Sequence, residues 1–149
     1  MGESKGIKPS VLEVPCRVWC GGTSSGTALV SRDRLSFWGG FDPRTGRIVD
    51  RYSELCGQSV AGRILVFTST KGSSGTSGML ALAQRAGNAP NGMINIEIDC
   101  MAVLGCLVTG IPLVSLESAD PFALIQTGDH IEIDGGRQVV RIRPQSVRS

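Results

Sequence analysis

The sequence predicts a mixed α/β domain: a barrel-like sheet with a few helices packed on one side. Three observations predict it. Runs of β-branched and other apolar residues cluster in the first and last thirds of the chain. Between them, residues 64–114 read as strand, Gly/Ser loop, helix, strand, helix and strand. Finally, 149 residues that are 41% hydrophobic and 19% charged make one domain's worth of chain, able to build a core without disulfide or metal staples. Seven or so short strands and two helices are expected.

Residues 1–13, polar and interrupted by Gly6 and Pro9, read as a flexible N-terminal arm, leaving residues 14–149 as the domain. Strands are expected at 16–20 (CRVWC) and 26–31 (GTALVS), separated by a Gly21-Gly22 turn. Leu35, Phe37 and Trp38 form a short apolar run closed by Gly39-Gly40. Asp42-Pro43 and Thr45-Gly46 then mark a turn before a strand begun by Ile48-Val49. Residues 50–62 read as loop. The run Ile64-Leu65-Val66-Phe67 suits a strand buried on both faces. MLALAQRAG contains good helix formers and is stopped by Gly87 and Pro90. Residues 92–98 (GMINIEI) alternate as a half-buried strand. Residues 99–110 form a second helix, with Asp99 as N-cap and Gly110 as the stop. A short strand at 111–114, a loop at 119–123 and a turn at 126–129 lead into a terminal hairpin around Asp134-Gly135-Gly136.

Composition excludes several functions. A net charge of +2 and scarce aromatics (5%) do not supply the dense basic face and stacking platforms of a nucleic-acid binder. No segment reaches the ~18 consecutive apolar residues of a membrane span, and no signal-peptide core is evident, so a cytoplasmic protein is expected. Cys16, Cys20, Cys56, Cys100 and Cys106 include no CxxC pair, and their spacings are poor for metal binding. Cys20, Cys100 and Cys106 lie in apolar runs, where a reduced thiol acts as a small hydrophobe. The single histidine, His130, reads as solvated.

Chemistry is expected at the loop of Lys71, Gly72, Ser73, Ser74, Gly75, Thr76, Ser77 and Gly78. A strand feeding such a loop into a helix N-terminus aims backbone N–H groups and the positive end of the helix dipole at an anion. The loop is neither a Walker A motif, since its lysine opens it, nor a dinucleotide fingerprint, since it lacks the G-x-G start. One reading is a turn in which Ser73, Ser74 or Thr76 caps the helix. Four hydroxyls within eight residues exceed what a cap needs, which supports a ligand-binding reading beside it.

The ordered series GTALVS, FWGGFDPRTGRIVD, LVFTSTKGSSGTSG, GNAPNG, IPLV and QTGD resembles the small subunit of the aconitase X group. The likeness spans about residues 14–141. It implies the swivelling β/β/α domain of the aconitase superfamily, paired with a large subunit to form a dehydratase acting on a small hydroxy acid. It also implies that an iron–sulfur cluster resides on that large subunit, where its iron would take the departing hydroxide, and that this chain binds no cofactor or metal. By resemblance, Ser73 within Lys71-Gly72-Ser73 matches the catalytic serine. Lys71, Gly72, Ser74, Gly75, Thr76 and Ser77 are then candidates for substrate binding, and Lys71 with the loop amides would stabilise the Ser73 alkoxide. Ser74, Thr76 and Ser77 remain open between substrate contact and helix capping. The expected substrate is cis-3-hydroxy-L-proline or a related compound, with mevalonate 5-phosphate as the alternative. A non-catalytic anion-binding or regulatory module is the contrasting function. One departure is evident: where the family often has His-Pro, this chain has Tyr52-Ser53.

Overall fold

A computed structural model describes residues 10–71 and 75–145. The strands are β1 (Leu12–Cys20), β2 (Thr23–Val30), β3 (Phe41–Asp42), β4 (Arg47–Ile48), β5 (Ile64–Phe67), β6 (Gly92–Asn95), β7 (Leu113–Leu116), β8 (His130–Asp134) and β9 (Val139–Arg143). The helices are α1 (Thr76–Arg85), α2 (Cys100–Thr109) and α3 (Pro121–Leu124). Seven strands close a barrel in the order β1-β7-β6-β5-β2-β8-β9, with β9 pairing back onto β1. Closure leaves this sheet without an unpaired edge. Strands β3 and β4 form a separate two-stranded hairpin.

Half of the barrel is parallel. Strands β2, β5, β6 and β7 run in one direction, while β1, β8 and β9 join them through antiparallel pairs. Strands β5 and β6, with Ala28-Leu29 of β2 and Leu113-Val114 of β7, are covered on both faces, and alternation along the strand sorts their side chains. Ile64, Val66, Ile94 and Val114 point into the barrel with Ile131, Ile133, Val140 and Ile142. Leu65, Phe67, Met93 and Leu113 point outward into a second core against Leu80 and Ala83 of α1 and Ala102 and Cys106 of α2. This explains why ILVF shows no polar alternation. On β8 and β9 only one face is buried, so HIEID and VVRIR alternate. The outer core extends under the β3–β4 hairpin, where Phe37 meets Phe41 and Phe67 edge-on with ring centroids 5.3 and 6.2 Å apart.

The two long helices touch through a glycine. A Cβ at Gly105 of α2 would lie 2.7 Å from Leu80 Cδ1 of α1, so only the missing side chain permits this approach. Asp99 caps α2 by accepting from Ala102 N at 2.9 Å. Gly110 ends the helix in the left-handed conformation, with φ 77°.

Several boundaries differ from expectation. Strand β1 begins at Leu12, inside the segment read as an arm, because Leu12 and Glu13 pair with Ile142 and Arg141 of β9. Residues 1–9 of that arm lie outside the described residues. Strand β2 starts at Thr23, since its polar first half pairs with β8. Strand β6 stops at Asn95 and is buried throughout, because the barrel interior and the helices cover both its faces. The segment read as loop at 119–123 contains α3, started by Pro121 and capped by the Asp120 carboxylate on Phe122 N. Cys100 is exposed on α2, whereas Cys20 and Cys106 are buried as expected. No helix among the described residues is long and apolar enough to cross a membrane.

Candidate active site

Four parallel strands place their carboxyl ends on one rim of the barrel, and the Lys71 loop leaves from this rim at the end of β5. The stem of the loop is stitched to its neighbours by backbone geometry. Thr68 Oγ1 donates to Arg32 O at 2.7 Å. Leu35 N donates to Ser69 O at 3.0 Å, and Lys71 N returns a bond to Leu35 O at 2.9 Å. On the other side, the Asp99 carboxylate accepts from Thr70 N at 2.8 Å and from Thr70 Oγ1 at 2.5 Å. The capping aspartate of α2 therefore also grips the residue before Lys71.

Gly72, Ser73 and Ser74 lie outside the described residues. Gly75 occupies the N-cap of α1 and has no side chain to offer there. The N-cap position is thus not one of the hydroxyl residues considered for it. Thr76 is fully buried, and its methyl faces Gly105 of α2. Ser77 is half-buried in the first helical turn. Lys71 is exposed, with Nζ 3.8 Å from Asp50 Oδ2. Asp50 is itself fixed, its other oxygen accepting from Tyr52 N at 3.0 Å and its backbone N donating to Gly40 O at 3.3 Å.

The same rim carries further polar groups. Arg34 pairs with Glu97 at 3.1 Å, and the Arg32 guanidinium stacks on Phe122. Glu54 accepts from Arg32 N at 2.8 Å and Ser31 Oγ at 3.2 Å, which holds the Tyr52-Ser53 segment against the end of β2. A cavity of about 400 Å³ opens at the ends of β6 and β7, lined by Asn95, Leu116, Ser118 and Asp120 among others. Asn95 is fully buried; its Nδ2 donates to Phe67 O at 3.3 Å, and its Oδ1 finds no partner among the described residues. A second cavity, about 590 Å³, lies between the β3–β4 hairpin and α1, lined by Trp38, Phe41, Val49 and Met79 among others.

Asp42, in the distinctive FWGGFDPRTGR block, serves a turn. It accepts from Arg44 N at 2.9 Å, and this bond with the nearby guanidinium holds its carboxyl below the usual range. Sequence reasoning singled out neither Asp50 nor Asn95, and it read Asp99 only as a cap. No local signal marks Asp50, whose relation to Lys71 exists only in the fold.

The five thiols are all free. Cys16, Cys20 and Cys106 are buried. Burial, aided by Cys20 and Asp99, pushes the Cys106 thiol up to about 12, and burial also raises Cys20. Among the described residues, no group of three or more His, Cys, Asp or Glu side chains is placed to hold a metal ion.

Residues 13–142 match the family described as the aconitase X swivel domain. The chain belongs to that family. It is similar to a phosphomevalonate dehydratase small subunit of Methanocella arvoryzae, 37% identical over 83% of this chain and 93% of the relative. A protein of the same name from Methanothrix thermoacetophila is 36% identical over 92% of this chain and 99% of its own length. The crystal structure of Thermococcus kodakaraensis aconitase X superposes with a TM-score of 0.82 at 33% identity, covering 89% of this chain and 99% of that one. The expected swivel-domain fold is therefore the observed one, and the chain is the small subunit of an aconitase X-type dehydratase, a hydro-lyase.

Proposed function

We propose that this chain completes the active site of a dehydratase acting on mevalonate 5-phosphate, with Ser73 as the catalytic base. The names of the relatives support this substrate over cis-3-hydroxy-L-proline, which reverses the order of preference drawn from the sequence. The observation that carries the reading is the position of the loop. Its described flanks lie at the carboxyl ends of the parallel strands: a stem held at Thr70 and the first turn of α1. Loss of water requires a base for the proton on the carbon beside the departing hydroxyl. Ser73 accepts that proton as an alkoxide, and the Lys71 ammonium and the helix N-terminus stabilise the charge. Lys71, Gly72, Ser74, Gly75 and Ser77 bind the anionic substrate. Thr76, with its side chain buried, acts through the helical turn it anchors. We assign the iron–sulfur cluster that the family resemblance implies to the large partner subunit.

The test is anaerobic assay of the assembled two-subunit enzyme with mevalonate 5-phosphate and, separately, cis-3-hydroxy-L-proline. Ser73→Ala is expected to lose at least about a thousandfold in turnover, as for other groups that act in the transition state, while the complex still assembles. Near-normal turnover by the variant would favour the non-catalytic binding module. Turnover of the proline derivative alone would reject the phosphorylated substrate.

A further inference from the structure

We propose that Asp99 is a positioning residue for the catalytic loop, a role that rests on the assignment of Ser73. The argument begins with what holds the two ends of the loop. At its entrance, Thr70 gives both its backbone N–H (2.8 Å) and its hydroxyl (2.5 Å) to the Asp99 carboxylate. At its exit, α1 lies against α2 at Gly105, which a Cβ would bring within 3.8 Å of Thr76 Cγ2 and 3.6 Å of Ser77 Cα. Thr70 is thus hydrogen-bonded to the N-cap of α2, and the first turn of α1 packs on the same helix six residues further along.

Asp99 spends three acceptor contacts on this arrangement, one on Ala102 N and two on Thr70. A carboxylate is suited to the task because it accepts on both oxygens and offers no donor. An N-cap alone needs only one acceptor, which serine, threonine or asparagine supplies equally well. The second oxygen, directed at Thr70 N, is the part that capping does not explain. Displacement of a reacting group by about 1 Å costs on the order of 100-fold in rate, so a slack entrance to the loop is read directly in turnover.

Asp99→Asn separates the two duties. Its amide oxygen still caps α2, but its NH2 group confronts the Thr70 N–H. Thr70→Val removes the hydroxyl bond and keeps the shape, whereas Thr70→Ser keeps the hydroxyl. In the assembled enzyme, Asp99→Asn and Thr70→Val are expected to lower kcat at least tenfold with KM within threefold of wild type. Thr70→Ser is expected to retain near-normal kcat, and amide hydrogen exchange at Thr70 and Lys71 is expected to accelerate in Asp99→Asn. Unchanged kcat in both Asp99→Asn and Thr70→Val overturns the proposal, as does a loss in Thr70→Ser as large as in Thr70→Val. Ser73→Ala measured alongside separates the two claims. If it is inactive while Asp99→Asn is normal, only the positioning role falls; if Ser73→Ala turns over normally, the serine assignment falls, and with it the role that depends on it.

Discussion

Replacing Gly105 with alanine tests the closest approach in the fold. Helix propensity alone makes this change favourable, since alanine exceeds glycine by about 1 kcal/mol in a helix interior. The structure predicts the opposite sign. The new Cβ would sit 2.7 Å from Leu80 Cδ1, while ordinary contact begins at 3.4 Å. Leu80 is fully buried, so its methyl has no solvent to swing into. Overpacking of this kind costs about 1–3 kcal/mol, which leaves a net destabilisation of about 1 kcal/mol for Gly105→Ala. Leu80→Ala alone costs about 2–5 kcal/mol through the cavity it leaves. In that background the obstructing methyl is gone, and the alanine at 105 both fills space and gains its helix propensity. The double variant is therefore expected to be more stable than the sum of the single changes by roughly 1–3 kcal/mol, the overpacking cost relieved. Equilibrium urea denaturation of the four proteins measures this, provided the slopes agree so that stabilities compare directly. Stabilisation by Gly105→Ala in the otherwise native chain, or additivity within about 0.5 kcal/mol, would refute the close helix crossing. The same glycine also lies beside Thr76 and Ser77 in the first turn of α1.

Two further outcomes follow from the surroundings of single groups. Brief alkylation of the native chain at pH 8, followed by mass spectrometry, is expected to label the exposed Cys56 and Cys100 and to spare Cys16, Cys20 and Cys106; rapid labelling of Cys106 would contradict its burial. Asp134 has its carboxyl held below the ordinary value by the Arg137 backbone N–H and by Arg141. Its contribution to stability is therefore fully present above the unfolded pKa of about 3.9 and is lost as pH falls through the lower folded value. Asp134→Asn is expected to flatten the acid side of the stability curve below about pH 4 and to leave its shape at higher pH unchanged; an unaltered acid limb in thermal melts would count against this.

How far the fold was legible depends on whether its cause was local. The run Ile64–Phe67, the capped helix after Asp99 and the hairpin around Asp134 all carry their signals within a few residues, and each formed where expected. Strand β1 was read short because Leu12 and Glu13 owe their extended state to β9, more than a hundred residues away. Strand β6 was read as half-buried because Asn95 looks like a polar outward position, yet it is fully buried at the rim. At the candidate site, loop composition was legible, since glycines and hydroxyls are dense there. The partners that fix the loop were not, because Asp50 and Asp99 reach Lys71 and Thr70 only once the sheet has brought their segments together.

The charges on the rim bear on why such a chain would need a second subunit. Two cations near the loop already face carboxylates: Lys71 has Asp50 at 3.8 Å, and Arg34 has Glu97 at 3.1 Å. Left alone, these pairs offer little net attraction to an anion. They are also weak. Lys71 is 56% exposed, and pairs this open to water contribute at most about 1 kcal/mol. An anion arriving above the loop therefore loses little in drawing Lys71 away from Asp50, while Asp50 keeps the ammonium within reach until then. That exchange becomes more favourable as water is excluded, because the attraction between opposite charges rises as the local dielectric falls. A rim open to solvent does not exclude water by itself. A partner surface closing over it would, and in the two-subunit site proposed above Lys71, nearly idle in the isolated chain, would then act on the bound anion.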